Sequence, residues 1–518
     1  MTLTLAPGAL ALDQLQAMHA GTVDIALDPS AWPGVTASAA AVARAADGDA
    51  PVYGVNTGFG KLASQRIDRA QLAELQLNLI RSHSVGVGAP LQPAVVRLVL
   101  ALKAASLARG FSGVRREVID TIVAVLAAGL VPFVPSQGSV GASGDLAPLA
   151  HLTLALIGEG EFVVDGTRRP AAEVLREAGI APLALAAKEG LALINGTQVS
   201  TALALHALLA FEPVLEAALV IGAMTVDAAR GSDCPFDPRI HALRGQPGQI
   251  DVARCYRALL KGSEIRRSHL QGDDRVQDPY SLRCQPQVVG ACLDSLRHAA
   301  LVLLREANAV TDNPLVFADE HGTEGGIVSG GNFHAEPVAL AADAMALAIA
   351  EVGAIAERRI AMLIDAGVSR LPPFLSAEPG LNSGFMIAHV TAASLASENK
   401  SLAHPASVDS LPTSANQEDH VSMATFAARR LQPMIANTAH ILGIELLAAA
   451  QGIEFLRPLK SSAPIEQAHA TLRLQCAAMP TDRLLAPDIA HATTLVQNGA
   501  LARLLRTLPH LPLLWQPA

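Results

Sequence analysis

Three long runs rich in alanine and leucine constrain the fold of this chain more than any other feature. They cover residues 337–366, 384–402 and 423–452, and each is long enough for several turns of helix. Alanine and leucine favour helices because they lose little side-chain freedom there. Helices of this length bury their apolar faces best against one another. The sequence therefore predicts a long-helix bundle.

The overall composition supports a mainly α fold. Of the 518 residues, 51% are hydrophobic and only 3% are aromatic, with a mean hydropathy of +0.34. A chain of this length is expected to form more than one hydrophobic core, and therefore more than one domain. We expect a mixed, mostly helical N-terminal region over residues 1–195 and the bundle over residues 196–518. So apolar a chain also predicts a homo-oligomer, because more surface needs covering than one copy can cover.

Charge and cysteine content exclude several classes of function. A net charge of −9 and a pI near 6.0 argue against nucleic acid as a partner. The first residues carry no basic stretch, so no secretory signal is expected. The uncharged residues 121–144 contain prolines and glycines, which favours a loop over a membrane span. Five cysteines without a CxxC pair, and scattered histidines, predict no disulfide framework, no metal site and a cytoplasmic location.

A glycine-rich segment, GSVGASGD at residues 138–145, lies among predicted helices. Helices are expected over residues 72–79, 93–110 and 114–128, a strand over residues 162–165, and another helix from Asp145. The glycine spacing is neither a dinucleotide fingerprint nor a phosphate-binding loop, and the segment is not a serine-hydrolase elbow. From the segment alone, a flexible connection between two helices explains it equally well.

The same residue types also allow a backbone reaction. If the N–H of Gly144 attacks the carbonyl carbon of Ala142, a five-membered ring closes and water leaves. Loss of a second water from Ser143 then creates a methylidene group. Glycine is needed because a side chain would block the close approach. Asp145 could polarise these groups, or simply cap the following helix, whose positive N-terminus would strengthen the electrophile.

The longer segment GSVGASGDLAPLAH resembles the signature of the aromatic amino acid ammonia-lyases, and the resemblance runs from Tyr53 to at least Arg430. It implies a 4-methylidene-imidazol-5-one cofactor formed autocatalytically from Ala142-Ser143-Gly144, with no external cofactor. It further implies the helical-bundle fold of that family. The expected assembly is a homotetramer in which each site draws residues from three subunits.

Two segments carry the residues expected to perform the elimination. Tyr53, in YGVNTGFG, would ordinarily be a packed tyrosine, but the resemblance makes it the base that removes the β-proton. Its phenol, with an unperturbed pKa of about 10, would need a nearby cation such as Arg283. Gln277, Tyr280 and Arg283 are spaced three apart, so one helical turn could align them. A surface ion pair is the ordinary role of Arg283, whereas the resemblance implies that it binds the substrate carboxylate, with Tyr280 near the amine.

Four further residues bear on the substrate. Asn195, in a turn, resembles the family's polar contact to the substrate or to the cofactor oxygen. Phe333 matches an aromatic near the cofactor, although core packing explains most phenylalanines. His83, in SHS, and Glu418, in PTSANQEDH, match the form found in members that act on L-histidine, where a carboxylate can pair with an imidazole. Without the resemblance, His83 would be a structural histidine and Glu418 a solvated one.

The expected function is the non-oxidative elimination of ammonia from L-histidine to give trans-urocanate, as in histidine degradation. A tyrosine or phenylalanine ammonia-lyase, or an aminomutase with the same cofactor, is the nearest alternative. Two others come from different classes. A fumarase/aspartase-type lyase would share the bundle, but its GSSxxPxK-type loop is absent. A helical scaffold that has lost activity would lack the cyclised tripeptide.

Overall fold

The structure, a computed structural model, describes residues 2–21, 24–273, 275–318 and 326–508. Its strands are β1 Thr2–Leu5, β2 Asp24–Leu27, β3 Val87–Pro90, β4 Val131–Pro132, β5 Pro135–Gln137, β6 Glu161–Val164, β7 Thr167–Pro170, β8 Leu315–Phe317 and β9 Gly326–Val328. Its α-helices are α1 Leu12–Ala20, α2 Trp32–Asp47, α3 Leu72–His83, α4 Pro93–Leu107, α5 Arg116–Ala127, α6 Leu146–Leu156, α7 Ala171–Glu177, α8 Glu189–Ile194, α9 Gln198–Ala228, α10 Pro238–Arg244, α11 Pro247–Leu260, α12 Glu264–Arg267, α13 Tyr280–Arg283, α14 Gln285–Ala307, α15 Glu336–Ile364, α16 Ala366–Ser369, α17 Met386–Leu402, α18 Ala424–Arg429, α19 Leu431–Glu454, α20 Ala463–Arg473, α21 Ala486–Gln497 and α22 Ala500–Arg506. The predicted mainly α fold is confirmed.

The chain forms two compact units. The first consists of Met1–His206, Leu301–Asp343 and Pro405–Arg429, and the second of Ala207–Ala300, Ala344–His404 and Arg430–Ala518. Both are assembled from separated stretches of sequence. A division at one point near residue 195 does not describe this interleaving, because the chain passes between the units several times.

The first unit combines helices with the small sheets of the described chain. Strands β1 and β2 pair in parallel, and the other sheets, β3-β5, β4-β6-β7 and β8-β9, are antiparallel. Helices α3, α6 and α8 pack on one another, and α4 packs on α5. Local signals set these helices: Pro93 opens α4 at its first turn, and Gly110, with φ of +79°, follows its end. The predicted helices and the strand β6 are confirmed within a few residues.

The second unit is a bundle in which α19 contacts several neighbours. Its Glu445 pairs with Arg359 of α15 and accepts a hydrogen bond from Thr225 of α9, and all three side chains are buried. Its Thr438 accepts a hydrogen bond from Asn399 of α17. Removing one member of such a buried ion pair is strongly destabilising because it leaves an uncompensated charge. The predicted bundle is therefore held by polar contacts as well as by apolar packing.

Four helical stretches of the described chain are long and apolar enough to cross a membrane by length and composition: Gln198–Ala228, Gln285–Ala307, Glu336–Ile364 and Ala424–Glu454. Burial explains most of this hydropathy, since 83% of the apolar window of Gln198–Ala228 lies inside the protein. The share falls to 44% for Gln285–Ala307. Residues 121–144, weighed above as a span, instead form part of α5, the strands β4 and β5 and a loop.

One helix prediction needs correction. The run over residues 423–452 is two helices, α18 and α19, rather than one. Pro433 explains the break, because its ring clashes with the carbonyl four residues earlier and it has no N–H to donate. The long helices α9 and α14 lie outside the runs that were predicted as helices.

Candidate active site

The segment at residues 138–145 joins strand β5 to helix α6, which corrects the predicted connection between two helices. A three-residue strand containing proline has no periodic signal to reveal it. Gly144, with φ of +69°, lies against the backbone of Gly196, where an added Cβ would stand 2.2 Å from the Gly196 carbonyl oxygen. No residue with a side chain fits there. The tripeptide is thus pressed against a second backbone segment.

Asp145 fixes this loop through contacts within the loop and with two other stretches of chain. Its buried carboxylate accepts hydrogen bonds from Ser139 Oγ (2.9 Å), Thr425 Oγ1 (2.7 Å), and the backbone N–H and Oγ of Ser200 (2.7 and 2.9 Å). Ser200 lies in the first turn of α9, where N–H groups lack intrahelical partners. Asp145 therefore accepts a hydrogen bond from an otherwise unpaired backbone N–H group at the start of α9. The proposed cap of α6 is wrong, since its side chain makes no such bond.

Asn195 holds the carbonyl of the central residue of the tripeptide. Its Nδ2 donates to the Ser143 carbonyl oxygen at 2.7 Å. The ring described above would contain the Ser143 carbonyl carbon and keep this oxygen, so the bond is compatible with the cyclised form. The Asn195 Oδ1 atom is buried and has no hydrogen-bond partner among the described residues. Together with the close approach of Gly144 to Gly196, these contacts fit the imidazolone group.

Lys103 contacts the backbone of Asn195, and it was not identified from the sequence as a residue near the site. It is 1% exposed, and its Nζ donates to the carbonyl oxygens of Ala192 (3.1 Å) and Asn195 (2.8 Å) at the end of α8. Burial lowers the pKa of Lys103 to about 7, although the carboxylates of Asp312 and Asp145 oppose the shift. A lysine within the apolar run of α4 was the signal that could have identified it.

Glu418 reaches the tripeptide from the far end of the first unit's sequence. The Ser143 hydroxyl donates to Glu418 Oε1 at 2.5 Å. The other carboxylate oxygen accepts a hydrogen bond from Thr413 Oγ1, and the two backbones pair in both directions. Thr413 lies in the segment PTSANQEDH, and nothing in the sequence indicated that its hydroxyl would orient the Glu418 carboxylate.

One cavity of the first unit, about 1370 Å³ in volume, gathers most of the predicted site residues. Those lining it are Tyr53, His83, Ala142, Ser143, Asn195, Phe333 and Glu418. The Tyr53 hydroxyl accepts a long hydrogen bond from the Gly60 N–H at 3.4 Å. Ser143 is partly exposed to the cavity, and the loop delivers it to the N-terminus of α6, as predicted.

His83, at the end of α3, has its Nδ1 2.9 Å from the Leu79 carbonyl oxygen. Burial lowers the pKa of His83, while the Leu79 contact and the nearby Glu418 carboxylate act in the opposite direction. The imidazole is therefore mostly neutral at neutral pH. A carbonyl can only accept, so the tautomer consistent with the Leu79 contact carries its proton on Nδ1 and leaves Nε2 as an acceptor; the Ser82 hydroxyl also lies 3.0 Å from Nδ1.

Three predicted residues, Gln277, Tyr280 and Arg283, belong to the second unit and do not line this cavity of the described chain. Tyr280 is 70% exposed, and the Arg283 guanidinium stacks 4.7 Å from the centre of its ring. The predicted alignment on one helical turn is confirmed for Tyr280 and Arg283, which both lie in α13, and is wrong for Gln277, which lies in a bend before that helix. The predicted pairing of Arg283 with Tyr53 stays a prediction.

The structure also brings together a set of metal-ligating side chains for which the sequence showed no motif. His334, Glu336 and His420 each offer a ligand atom, and these atoms lie within 4.8 Å of one another. Imidazole nitrogens and carboxylate oxygens are ordinary ligands of divalent cations. The set joins two distant segments, which is why no local spacing revealed it.

Known proteins resemble this chain over nearly its whole length. A family profile for aromatic amino acid lyases matches residues 10–474. A histidine ammonia-lyase of Aromatoleum aromaticum is 62% identical over 96% of this chain and 94% of its own length. The crystal structure of histidine ammonia-lyase from Trypanosoma cruzi superposes with a TM-score of 0.88 at 42% identity, covering 99% of this chain and 96% of that one. A tyrosine aminomutase from Streptomyces globisporus superposes with a TM-score of 0.92 at 34% identity, covering 99% and 100%.

Proposed function

Since this chain belongs to the aromatic amino acid lyase family, we propose that it eliminates ammonia from L-histidine without oxidation to give trans-urocanate. The chain is a carbon–nitrogen lyase. The observation that carries the choice of substrate is the presence of His83 and Glu418 in the same cavity as Ser143. Both offer polar groups to an imidazole, which a phenyl ring could not use.

The proposed cofactor is the 4-methylidene-imidazol-5-one group formed from Ala142-Ser143-Gly144. Gly196 and Asn195 would hold it, the first by its close backbone approach and the second through the retained carbonyl oxygen. When present, the group supplies an electrophilic carbon that makes the amino group a better leaving group. The positive end of α6 supports this role, because it withdraws electron density from the loop.

The side chains of the cavity divide the remaining work. Tyr53 takes the β-proton of the substrate as the general base. His83 presents Nε2 as a hydrogen-bond acceptor and Glu418 presents a carboxylate, so the pocket favours a ring with N–H groups. Phe333 contributes an aromatic surface. Two acceptors facing one ring favour the imidazolium form of histidine, which carries two N–H donors, over a phenol, which carries one donor.

The assembly we propose is a homotetramer in the cytoplasm, with each site completed by neighbouring subunits. The exposure of Tyr280, on the same turn as Arg283, supports a role for this helix in a neighbour's site. Large apolar side chains are exposed on α14 and α15, namely Leu301, Leu340 and Leu347 at 41%, 56% and 56%. Such a surface favours burial between subunits. Five free cysteines are compatible with a reducing compartment.

Separate incubation with L-histidine, L-tyrosine and L-phenylalanine tests the substrate. Ultraviolet absorbance follows the conjugated product, and chromatography detects any β-amino acid. We expect urocanate from histidine and little product from the other two. Cinnamate or coumarate as the main product, or a β-amino acid, would assign the alternative ammonia-lyase or aminomutase activity.

The intact mass of the chain tests whether the cofactor forms. It also tests the alternative that the protein is a helical scaffold without activity, which would lack the cyclised tripeptide. The wild-type chain should be two waters lighter than its encoded sequence. Ser143→Ala should prevent the second loss and lower turnover by at least about 10³-fold while the fold is kept. Membership of the aromatic amino acid lyase family excludes the alternative of a fumarase/aspartase-type enzyme.

A further inference from the structure

The hydroxyl of Ser143 contacts a carboxylate whose position is set by a tight turn. Ser143 Oγ and Glu418 Oε1 are 2.5 Å apart, although the residues are separated by 275 positions in the chain. Within the turn that presents Glu418, the residues Ser414, Ala415 and Asn416 have φ of +49°, +53° and +64°. Side chains rarely tolerate this backbone region, and such conformations persist where surrounding contacts enforce them. The turn therefore places Glu418 at the Ser143 hydroxyl.

We propose that Glu418 is the proton donor that removes the Ser143 hydroxyl in the second dehydration of cofactor formation. The inference rests on the cofactor proposed above and assigns Glu418 a role before any substrate binds. Heavy-atom positions leave the proton free to lie on either oxygen of the contact. With the carboxyl group protonated, the hydrogen bond runs from Glu418 to Oγ and prepares the hydroxyl to leave.

The two dehydrations use different atoms. In the first, Gly144 N bonds to the Ala142 carbonyl carbon, and the Ala142 oxygen leaves as water with the amide protons of Gly144 and Ser143. In the second, the Ser143 Cα–H bond breaks, and its electron pair forms the double bond to Cβ. The Cβ–Oγ bond breaks, and Oγ leaves as water with the proton from Glu418. The Cα proton passes to the medium, from which Glu418 regains its own, so the net loss is one water.

Asp145, the other carboxylate close to the tripeptide, is engaged elsewhere. Both of its oxygens accept hydrogen bonds from Ser139, Ser200 and Thr425, and among the described contacts none joins it to the Ser143 hydroxyl. Asp145 thus positions the backbone that cyclises, and Glu418 contacts the group that leaves. Because ring closure does not involve the hydroxyl, loss of the Glu418 proton should arrest formation after the first water.

The test is Glu418→Gln in the full chain, followed by intact mass at intervals after a pulse of synthesis. Glutamine keeps the size and can hydrogen-bond, but it cannot supply the proton. The wild-type chain should reach the form lacking two waters. The variant should accumulate the form lacking one water, with the second loss slowed by about 10²- to 10⁴-fold, the usual contribution of general acid catalysis. Asp419→Asn, which removes the neighbouring exposed carboxylate, should mature like the wild type.

Each outcome separates the inference from the proposed function. If Glu418→Gln loses two waters at the wild-type rate, or stays at the encoded mass, the assignment of Glu418 to the second step is wrong. A wild-type chain that loses no water overturns the cofactor itself. Thr413→Val keeps the carboxylate but removes one hydrogen bond that orients it, and should slow the second loss less. If Glu418→Gln does not fold, Thr413→Val becomes the deciding variant. A second water loss at the wild-type rate in Thr413→Val would then contradict the role of Glu418.

Discussion

The side-chain amide of Asn195 donates a 2.7 Å hydrogen bond to the carbonyl oxygen of Ser143. This oxygen would remain on the cyclised ring, where negative charge develops when the methylidene carbon is attacked. Asn195→Ala should therefore lower kcat by about 10²- to 10³-fold, as loss of one oxyanion donor does. Steady-state kinetics with L-histidine and intact mass measure the effect. The exposed Asn498→Ala serves as the control, and a kcat within a few-fold of the wild type would show that Asn195 is dispensable.

Lys103→Met should change how stability depends on pH. The unfolded lysine titrates near 10.5 and the folded one at about 7, so between these values the unfolded chain binds a proton that the folded chain has released. The contribution of Lys103 to the free energy of unfolding therefore rises with pH across this window, and this contribution is absent from the variant. The wild type should gain about 2 kcal/mol over the variant from pH 7 to pH 9, because one pKa unit corresponds to about 1.4 kcal/mol.

Denaturant titrations of both proteins at the two pH values measure this gain. The loss of two hydrogen bonds lowers the stability of Lys103→Met at every pH, so only the change with pH is informative. Lys261→Met, at an exposed lysine, should follow the wild-type curve. Parallel curves for the wild type and Lys103→Met would mean that Lys103 keeps an ordinary pKa.

His83→Phe should shift the balance between substrates. The variant loses the Nε2 acceptor and offers an apolar ring in its place. We expect kcat/KM for L-histidine to fall about 10- to 100-fold, in line with an unmet buried hydrogen bond, and to fall less for L-phenylalanine. The ratio of the two values is the measurement, with His440→Phe, on an exposed histidine, as the matched control. An unchanged ratio would remove His83 from substrate selection.

Complementation tests whether Arg283 serves a neighbouring subunit. Ser143→Ala and Arg283→Ala should each be nearly inactive. When the two variants are produced together, some sites combine an intact Ser143 with an intact Arg283, and part of the activity should return. A mixture of the two variants, each produced separately, gives the background activity against which the co-produced protein is compared. Inactivity of the co-produced protein would place both residues in a site made by one chain.

Features with local causes could be predicted from the sequence. The glycine-rich loop, the helix start at Asp145, and the helices bounded by Pro93 and Gly129 depend on residues a few positions apart. The chemistry proposed for Ala142-Ser143-Gly144 is local as well, since the ring would use consecutive backbone atoms. These parts of the fold, and the proposal for the tripeptide, follow from residue types and spacing.

Contacts across the fold could not be predicted in this way. Asp145 looked like a cap for its own helix, yet its partners Ser200 and Thr425 come from other segments. The contact between Ser143 and Glu418 depends on a turn whose three left-handed residues carry no glycine to mark it. The unpartnered Asn195 Oδ1 and the buried Lys103 also emerge only from packing. Hydrogen-bond partners far apart in sequence leave no periodic trace.

The close approach of Gly144 to Gly196 limits how this chemistry can be moved to another protein. Grafting Ala-Ser-Gly onto a surface loop would supply the atoms of the ring but not the opposing backbone that presses on them, where even one added carbon would collide at 2.2 Å. A recipient scaffold must therefore pair the glycine of the tripeptide with a second backbone segment, as Gly144 pairs with Gly196. The transferable unit is two paired backbone segments, and a library that varies position 144 should lose the cofactor, because any side chain there meets the backbone of Gly196.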